Sequence, residues 1–300
     1  MKVLITGATG LIGKKITQKL LSRGDEVIVL TRSVQQAKKS ILNATAYWEW
    51  NKDLLQEKER EIDAVINLAG ENVMARRWND TQKKKILQSR LSSIKNLIEF
   101  IAALETKPKV FISASAIGIY GNDNSVVDEN SPAANDFLAK VVKEWEAESS
   151  KVDTLGIRRV NIRIGIVLDK NEGALAKMIT PFKFFVGGSI GSGKQWFSWI
   201  HIDDIVGIFL FALDNPNVSG AINGVAPNPV TMKDFAKTLG KTMNRPSIFS
   251  VPEIALKLVL GEGAAAVLGG TNVMSKRIVD AGYQFSFEKV EEALTELFES

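Results

Sequence analysis

Residues 2–13 read Lys2-Val3-Leu4-Ile5-Thr6-Gly7-Ala8-Thr9-Gly10-Leu11-Ile12-Gly13, and this stretch decides the fold. A short apolar run meets glycines spaced three apart, and an amphipathic stretch over 11–23 follows at once. That is the strand–turn–helix context in which a glycine pattern acquires a physical meaning. Gly7 permits a tight turn, Gly10 lets the backbone approach a pyrophosphate without a side-chain clash, and Gly13 lets the helix pack closely on its strand. At the helix N-terminus the backbone around Thr9, Leu11 and Ile12 offers unpaired N–H groups and the positive end of the macrodipole to phosphates. The stretch predicts a dinucleotide site on the first β-α turn.

Outward from that turn the pattern repeats. Short apolar runs at 3–5, 26–30, 64–68, 110–113 and 159–164 alternate with helical patterns at 11–23, 80–104 and 136–150, the second with Ile86, Leu97 and Ile101 inward. Such alternation predicts an α/β fold, a Rossmann doubly wound parallel sheet with a smaller C-terminal substrate domain. The expected division is 1–165 plus about 203–226 for the dinucleotide domain, and about 166–202 with 227–300 for the substrate domain. Strand-like Ala221-Ile222-Asn223-Gly224 is expected to return to the first domain, after a helix capped by Asp203 or Asp204.

The glycine-rich segment 187–196 reads as a lid over substrate, with Lys194 placed to attract an anion. It is not a phosphate loop of the Gly-Lys-Ser/Thr kind, because Gln195 follows Lys194. Trp196, Phe197 and Trp199 could wall an apolar pocket or belong to the core.

Composition narrows the function. The 300 residues carry 38 basic and 34 acidic side chains, interspersed, so the formal charge of +4 does not predict a nucleic-acid partner. No cysteine and one histidine, His201, exclude disulfides, thiolate catalysis and cysteine- or histidine-rich metal sites, so no metal is expected. No apolar run approaches the roughly 18 residues of a membrane span, and no membrane partner is expected. Residues 2–5 enter directly as a strand with no leader-like pattern, so the expected location is cytoplasmic, or the interior of an organelle.

The second apolar run ends in Thr31-Arg32-Ser33, where a protein that prefers NAD would place a carboxylate for the ribose hydroxyls. A guanidinium there pairs with the 2′-phosphate that a carboxylate would repel, so NADP is the expected cofactor. At the third strand, Asn67-Leu68-Ala69-Gly70-Glu71 is small and apolar where backbone would lie against the cofactor ribose.

The glycine turn joined to Asn67–Glu71, to Ser113-Ala114-Ser115-Ala116-Ile117-Gly118-Ile119-Tyr120-Gly121 and to Trp199-Ile200-His201-Ile202-Asp203-Asp204 resembles the extended short-chain dehydrogenase/reductases. More narrowly, with Lys85–Arg90, Trp145-Glu146 and Arg245-Pro246, the chain is similar to the atypical branch of YfcH-type epimerase family proteins in the NAD-dependent epimerase/dehydratase superfamily. The resemblance implies NADP contacts at Thr31, Arg32, Leu68, Ala69, Lys85, Arg90 and the backbone near Val167. Arg90 also has a rationale in its place on a helix near the carboxyl edge of the sheet, and reads equally as a helix-surface salt-bridge partner. Lys85 ends the run Lys83-Lys84-Lys85, which reads equally as a solvated face.

Usual members of the superfamily polarise a carbonyl with a serine and a Tyr-x-x-x-Lys pair. Here Asn51, Asn124 and Phe287 stand four residues after the three tyrosines, and phenylalanine or leucine falls at 137 and 138 where the phenol is expected. Some positioned acid or base must still accompany hydride transfer. Ser115, ahead of Ser113, and Tyr120 are the candidate catalytic residues. His201 reads more readily as a structural residue beside a helix start.

Two functions remain open: an NADP-dependent oxidoreductase or epimerase acting on a small carbonyl or sugar-nucleotide-like substrate, or a catalytically silent NADP-binding regulator, for which the resemblance implies a link to cell division. A homodimer through the helices of the first domain is the analogy the family offers.

Overall fold

Apolar runs short enough for strands and amphipathic stretches long enough for crossover helices assemble as the pattern predicts in the computed structural model, which describes residues 1–50, 61–122 and 125–299. The central sheet is built from β1 (Lys2–Thr6), β2 (Glu26–Thr31), β3 (Ala46–Glu49), β4 (Ala64–Asn67), β5 (Val110–Ala116), β7 (Arg158–Ile164) and β12 (Gly220–Gly224). These seven strands run parallel in the order β12-β7-β5-β4-β1-β2-β3. The crossover direction reverses between β1 and β4, and ligands of open α/β sheets bind beyond the carboxyl ends at that point.

Near-continuous apolar strands follow from covering both faces of the sheet. Val3, Leu4, Ile5, Val27, Ile28, Val65 and Ile66 are all buried. Helices α1 (Leu11–Ser22), α2 (Val34–Ser40), α3 (Asp80–Ala103), α4 (Phe137–Ser149), α5 (Gly173–Lys183) and α6 (Ile202–Asp214) supply the cover. Ser33, Asn79 and Asp136 cap α2, α3 and α4 through their side chains, each satisfying one free N–H of the first turn. Ile86, Leu97 and Ile101 point inward from α3 as its periodicity predicts.

Beyond the sheet lie short strand pairs: β6 (Val126–Val127) with β15 (Asn272–Val273), β8 (Ile166–Leu168) with β11 (Trp199–His201), β9 (Gly188–Ile190) with β14 (Phe249–Val251), and β10 (Trp196–Phe197) with β13 (Val230–Thr231). The C-terminal helices are α7 (Met232–Thr242), α8 (Glu253–Leu260), α9 (Ala265–Leu268), α10 (Lys276–Asp280) and α11 (Val290–Glu299). Residues 221–224 return to the main sheet as expected, pairing with β7 as the edge strand β12.

Three readings change. The edge strand β3 was not foreseen. The cap of α6 is His201, not Asp203 or Asp204: its imidazole Nδ1 accepts from the Asp203 N–H at 3.2 Å. The glycines of the expected lid serve close packing. A Cβ at Gly188 would fall 1.5 Å from the Phe249 carbonyl oxygen, and one at Gly187 2.3 Å from the Phe182 ring, so the segment is stitched to β14 and covered by α7. Phe197 and Trp199 are core, the first against the Phe235 ring at 4.2 Å. Among the described residues no helix is long and apolar enough to cross a membrane.

Candidate functional site

The carboxyl edge of the sheet carries a polar row at one register level. Thr6, Asn67, Ser113 and Asn161 pair side by side across β1, β4, β5 and β7, and all are buried. Buried polar groups need partners, and three of the four are joined to one another: Thr6 Oγ1 donates to Asn67 Oδ1 at 2.7 Å, Ser93 Oγ donates to the same oxygen at 3.0 Å, and Asn67 Nδ2 donates to Ser113 Oγ at 3.2 Å. Asn161 stands apart, its Oδ1 accepting from Ser149 Oγ at 3.0 Å. Thr6 Oγ1 also accepts from the N–H groups of Leu68 and Ala69, each at 3.2 Å. That pair of bonds turns the loop after β4 toward the glycine turn.

The turn itself is built around its glycines. Gly7 has φ +69°, and a Cβ there would also lie 2.7 Å from the Leu68 carbonyl. A Cβ at Gly13 would fall 2.2 Å from the Gly7 carbonyl oxygen, so α1 seats against the turn only without a side chain. At Gly10 a Cβ would meet a single neighbour, Gly7 O at 3.3 Å, and otherwise point into open space.

That space is a cavity of about 690 Å³. Its walls bring together Gly7, Thr9, Gly10, Thr31, Arg32, Leu68, Ala69 and Gly70 from the sequence reading. Ser33, Gln36, Trp50, Ser92 and Asn96, which the reading missed, complete them. Arg32 is exposed at the rim, beside the start of α2, and among the described lining residues Glu71 is the one carboxylate. Leu11, Ile12 and Gly13 follow in the first turns of α1, behind the glycine loop.

Arg90 lies alongside. A Cβ on Gly70 would sit 3.3 Å from its Cζ, its Nη1 donates to the Ile86 carbonyl at 2.8 Å, and its guanidinium stacks on Trp145 at 4.9 Å. Burial pushes the guanidinium down to about 10, against an upward pull from Glu71, so it remains cationic at neutral pH. Lys85 is exposed on α3, apart from the cavity walls. Val167 is half-buried in β8, opposite Ile200 of β11.

Ser115 and Tyr120 join a second polar network. Ser115 Oγ donates to Glu146 Oε1 at 2.6 Å, and Arg163 grips the same carboxylate through Nε at 2.9 Å and Nη2 at 2.8 Å. Arg163 Nη1 donates to the Tyr120 hydroxyl at 2.8 Å, which donates to Asn223 Oδ1 at 2.8 Å. Burial works against the Arg163 charge, but the bonds and charge of Glu146 outweigh it and raise the guanidinium. Burial raises the Tyr120 phenol too, with Arg163 opposing. The Tyr120 proton and one of its lone pairs are thus committed to the protein, and the Ser115 proton likewise, while Ser115 retains acceptor capacity.

Where a Tyr-x-x-x-Lys pair is expected, the structure has an apolar cluster: Trp78, Ile86 and Val141 buried, with Phe137 and Leu138 against them. His201 lies in the core, its Nε2 3.0 Å from Glu296 Oε2 and its ring 4.1 Å from Phe287, a structural setting. No group of three or more metal-ligating side chains gathers among the described residues.

Comparison with known proteins follows this geometry. The NAD dependent epimerase/dehydratase family matches residues 3–223, and a domain of unknown function (DUF1731) matches residues 251–297. The chain is similar to the epimerase family protein SDR39U1 homolog, chloroplastic, of Arabidopsis thaliana, 42% identical over 98% of this chain and 86% of that protein. It is 36% identical to the epimerase family protein YfhF of Bacillus subtilis, over 99% of this chain and 98% of that one. Among solved structures, human SDR39U1 (isoform 2) with NADPH superimposes with a TM-score of 0.90 at 35% identity, covering 100% of this chain and 99% of that one. The fold alone is shared with UDP-glucuronic acid 4-epimerase from Bacillus cereus, at a TM-score of 0.79 and 19% identity, covering 100% of this chain and 98% of that one.

Proposed function

The chain belongs to the NAD-dependent epimerase/dehydratase family, and from that premise we propose that it binds NADP(H) at the carboxyl edge of its sheet and acts as an oxidoreductase or epimerase on a small carbonyl or sugar-nucleotide-like compound. One observation carries the cofactor choice. The cavity beyond β1 and β2 is rimmed by Arg32 at the end of β2, the position where a carboxylate would select the unphosphorylated ribose. The open space at Gly10, the free N–H groups at the start of α1 and the small residues Ala69 and Gly70 fit the pyrophosphate and ribose of a dinucleotide. Human SDR39U1, crystallised with NADPH, supports the same cofactor here. The residues present fit NADP(H): Arg32 would pair with its 2′-phosphate, and Trp50 on the same cavity wall offers an apolar face to the adenine.

When bound, the nicotinamide supplies a hydride acceptor or donor for a carbonyl carbon. Ser115 Oγ, with its own proton directed at Glu146, would accept a hydrogen bond from a substrate hydroxyl. Glu146, held by Arg163, positions that hydroxyl. Tyr120 holds Arg163 in place and stands behind the site.

Titration calorimetry of cofactor-stripped protein with NADPH and NADH tests the site. Hydrogen bonds to a charged group contribute roughly 1.5–3 kcal/mol, so Arg32→Asp is expected to weaken NADPH about 10- to 100-fold and to leave NADH nearly unchanged. Equal affinity for both nucleotides in the parent protein would remove Arg32 from that role. Turnover is tested with a panel of carbonyl compounds: NADPH consumption that Ser115→Ala lowers by about 100-fold supports the enzyme.

A second reading has its own observation. The apolar cluster of Phe137, Val141, Trp78 and Ile86 occupies the ground of the usual proton donor, which suits an NADP-binding regulator that has given up turnover, with a link to cell division as the alternative role. A complex with a cellular protein that forms or dissolves with NADPH, and no redox turnover across the panel, would favour it.

A further inference from the structure

Apolar side chains left in solvent are concentrated in two stretches joined by the β9–β14 pair. Phe184 is 72% exposed, Ile248 79%, Ile254 73%, and Leu258 and Val259 70% each. Helix α8, Glu-Ile-Ala-Leu-Lys-Leu-Val-Leu, buries none of its eight residues. Single exposed hydrophobics are ordinary; a group of this size gathered at one strand pair marks a surface that something covers.

Both stretches adjoin the same strand pair. β9 and β14 run parallel with Gly188 opposite Phe249, so the Phe184-Phe185-Val186 turn and Ile248 enter at the same end. Arg245 stacks 4.5 Å over the Phe185 ring and joins the two. At the other end a Cβ on Gly191 would meet Glu253 Cγ at 3.5 Å, which places the start of α8 against the exit of β9.

Charge identifies the occupant. Lys183, Lys241, Arg245 and Lys257 flank these two stretches, and the carboxylates beside them are Glu253, which Lys257 holds at 3.4 Å, and Glu262, which Lys83 holds. Lys83 and Glu262 balance one another, so four cations stand against one carboxylate. A two-fold contact with a second copy would set this basic surface against itself. Aromatic and aliphatic side chains at a turn and on a short helix, rimmed by lysine and arginine, suit a phosphate-bearing lipid surface: the apolar groups enter the acyl boundary while the cations meet headgroups.

We propose that the face formed by the Phe184–Val186 turn, Ile248 and α8 docks peripherally on an anionic lipid bilayer. The test is flotation of the full chain with phosphatidylcholine vesicles, alone or with about one-third phosphatidylglycerol, at low salt. Flotation with the anionic vesicles alone is expected. Lys183→Gln and Lys241→Gln should each lower the partition coefficient roughly fivefold, and Ile254→Ser with Leu258→Ser should abolish flotation while circular dichroism and the unfolding midpoint stay those of the parent. Failure to float with anionic vesicles overturns the proposal. So does flotation that the Ile254→Ser, Leu258→Ser variant retains in full, and so does a parent dimer that this variant turns into monomer in light scattering without any vesicle binding, which would assign the face to a second copy.

Discussion

At the scale of single residues, the site was legible wherever function depends on a local pattern. Gly7 and Gly13 declare themselves because the turn, the strand before it and the helix after it are contiguous; their φ angle and close approaches show why no side chain fits. Arg32 was legible by the absence of a carboxylate. Trp50 and Asn96 were not, since nothing in their neighbourhoods signals that β3 and α3 bring them to one cavity. The partners of Ser115 were hidden for the same reason: Glu146 comes from α4 and Arg163 from β7, and their meeting is a product of sheet order. That meeting has a cost if half of it is removed. Side chains of Arg163 and Glu146 are 9% and 15% exposed, so losing the carboxylate charge strands a buried guanidinium. Glu146→Gln is therefore expected to destabilise the fold by about 3 kcal/mol, seen in urea unfolding as a lower midpoint with an unchanged slope. NADPH affinity should hold, because Glu146 does not line the cavity. An unchanged midpoint would show that the ion pair contributes little to the fold.

At the scale of elements, long periodic segments were readable and short ones were not. The strands near 3–5, 26–30, 64–68, 110–113 and 159–164 and the helices α1, α3 and α4 stand within a few residues of expectation, because burial on both sheet faces and on one helix face writes a strong period. Two- and three-residue pairs such as β10–β13 carry no period at all, and β3 is a four-residue edge strand ahead of Trp50. The start of α6 shows a subtler failure: aspartates at 203 and 204 look like caps, yet the side chain that caps is the histidine before them. This cap is pH-sensitive. Nδ1 must keep its lone pair to accept from Asp203 N–H, so the proton of the neutral ring sits on Nε2, facing Glu296. Burial lowers the imidazole below its ordinary 6.5, opposed by the carboxylates of Asp203, Glu296 and Asp204 around it. A base whose folded value is depressed contributes stability fully above its unfolded value and loses it as pH falls below that value toward the folded one. The unfolding midpoint is thus expected to decline as pH drops below 6.5. His201→Asn keeps a capping acceptor without the titration, so the difference between its pH profile and that of the parent should isolate the imidazole; parallel profiles would show that other groups set the decline.

At the scale of the whole molecule, the question is how the C-terminal part is held to the sheet. Its anchors are polar contacts, from buried to exposed, that cross large sequence separations. Asp204 on α6 accepts from Ser286 N at 2.8 Å and Phe287 N at 3.0 Å, while the Tyr283 hydroxyl donates to its main-chain carbonyl at 3.0 Å. Glu129 accepts from Asn223 N at 2.9 Å, and Arg277 Nη1 donates to the Ala221 carbonyl at 2.8 Å. Burial raises the Asp204 carboxyl despite the N–H donors from Ser286 and Phe287, as expected for a charge taken out of water to organise a loop. The cavity proposed for the dinucleotide, by contrast, draws its described lining from 7–50 and 68–96 and includes none of these anchors. On the proposed division into two units, each should respond separately to damage at their interface. Asp204→Ala removes the acceptor of the Ser286 and Phe287 N–H groups, a loss of about 2–3 kcal/mol in contacts to a charged group. Hydrogen exchange in that variant is expected to accelerate across residues 271–299 while amides of β1, β4 and β5 stay protected, with NADPH affinity within about threefold of the parent. Asp204→Asn retains one acceptor oxygen but turns an amide N–H toward a main-chain donor, and should fall between the two. If the chain folded as one indivisible unit, protection would fall in the sheet and in the C-terminal part together, and cofactor affinity would decline in step with stability; that pattern would mean the substrate-side elements are part of the same cooperative body that holds the nucleotide.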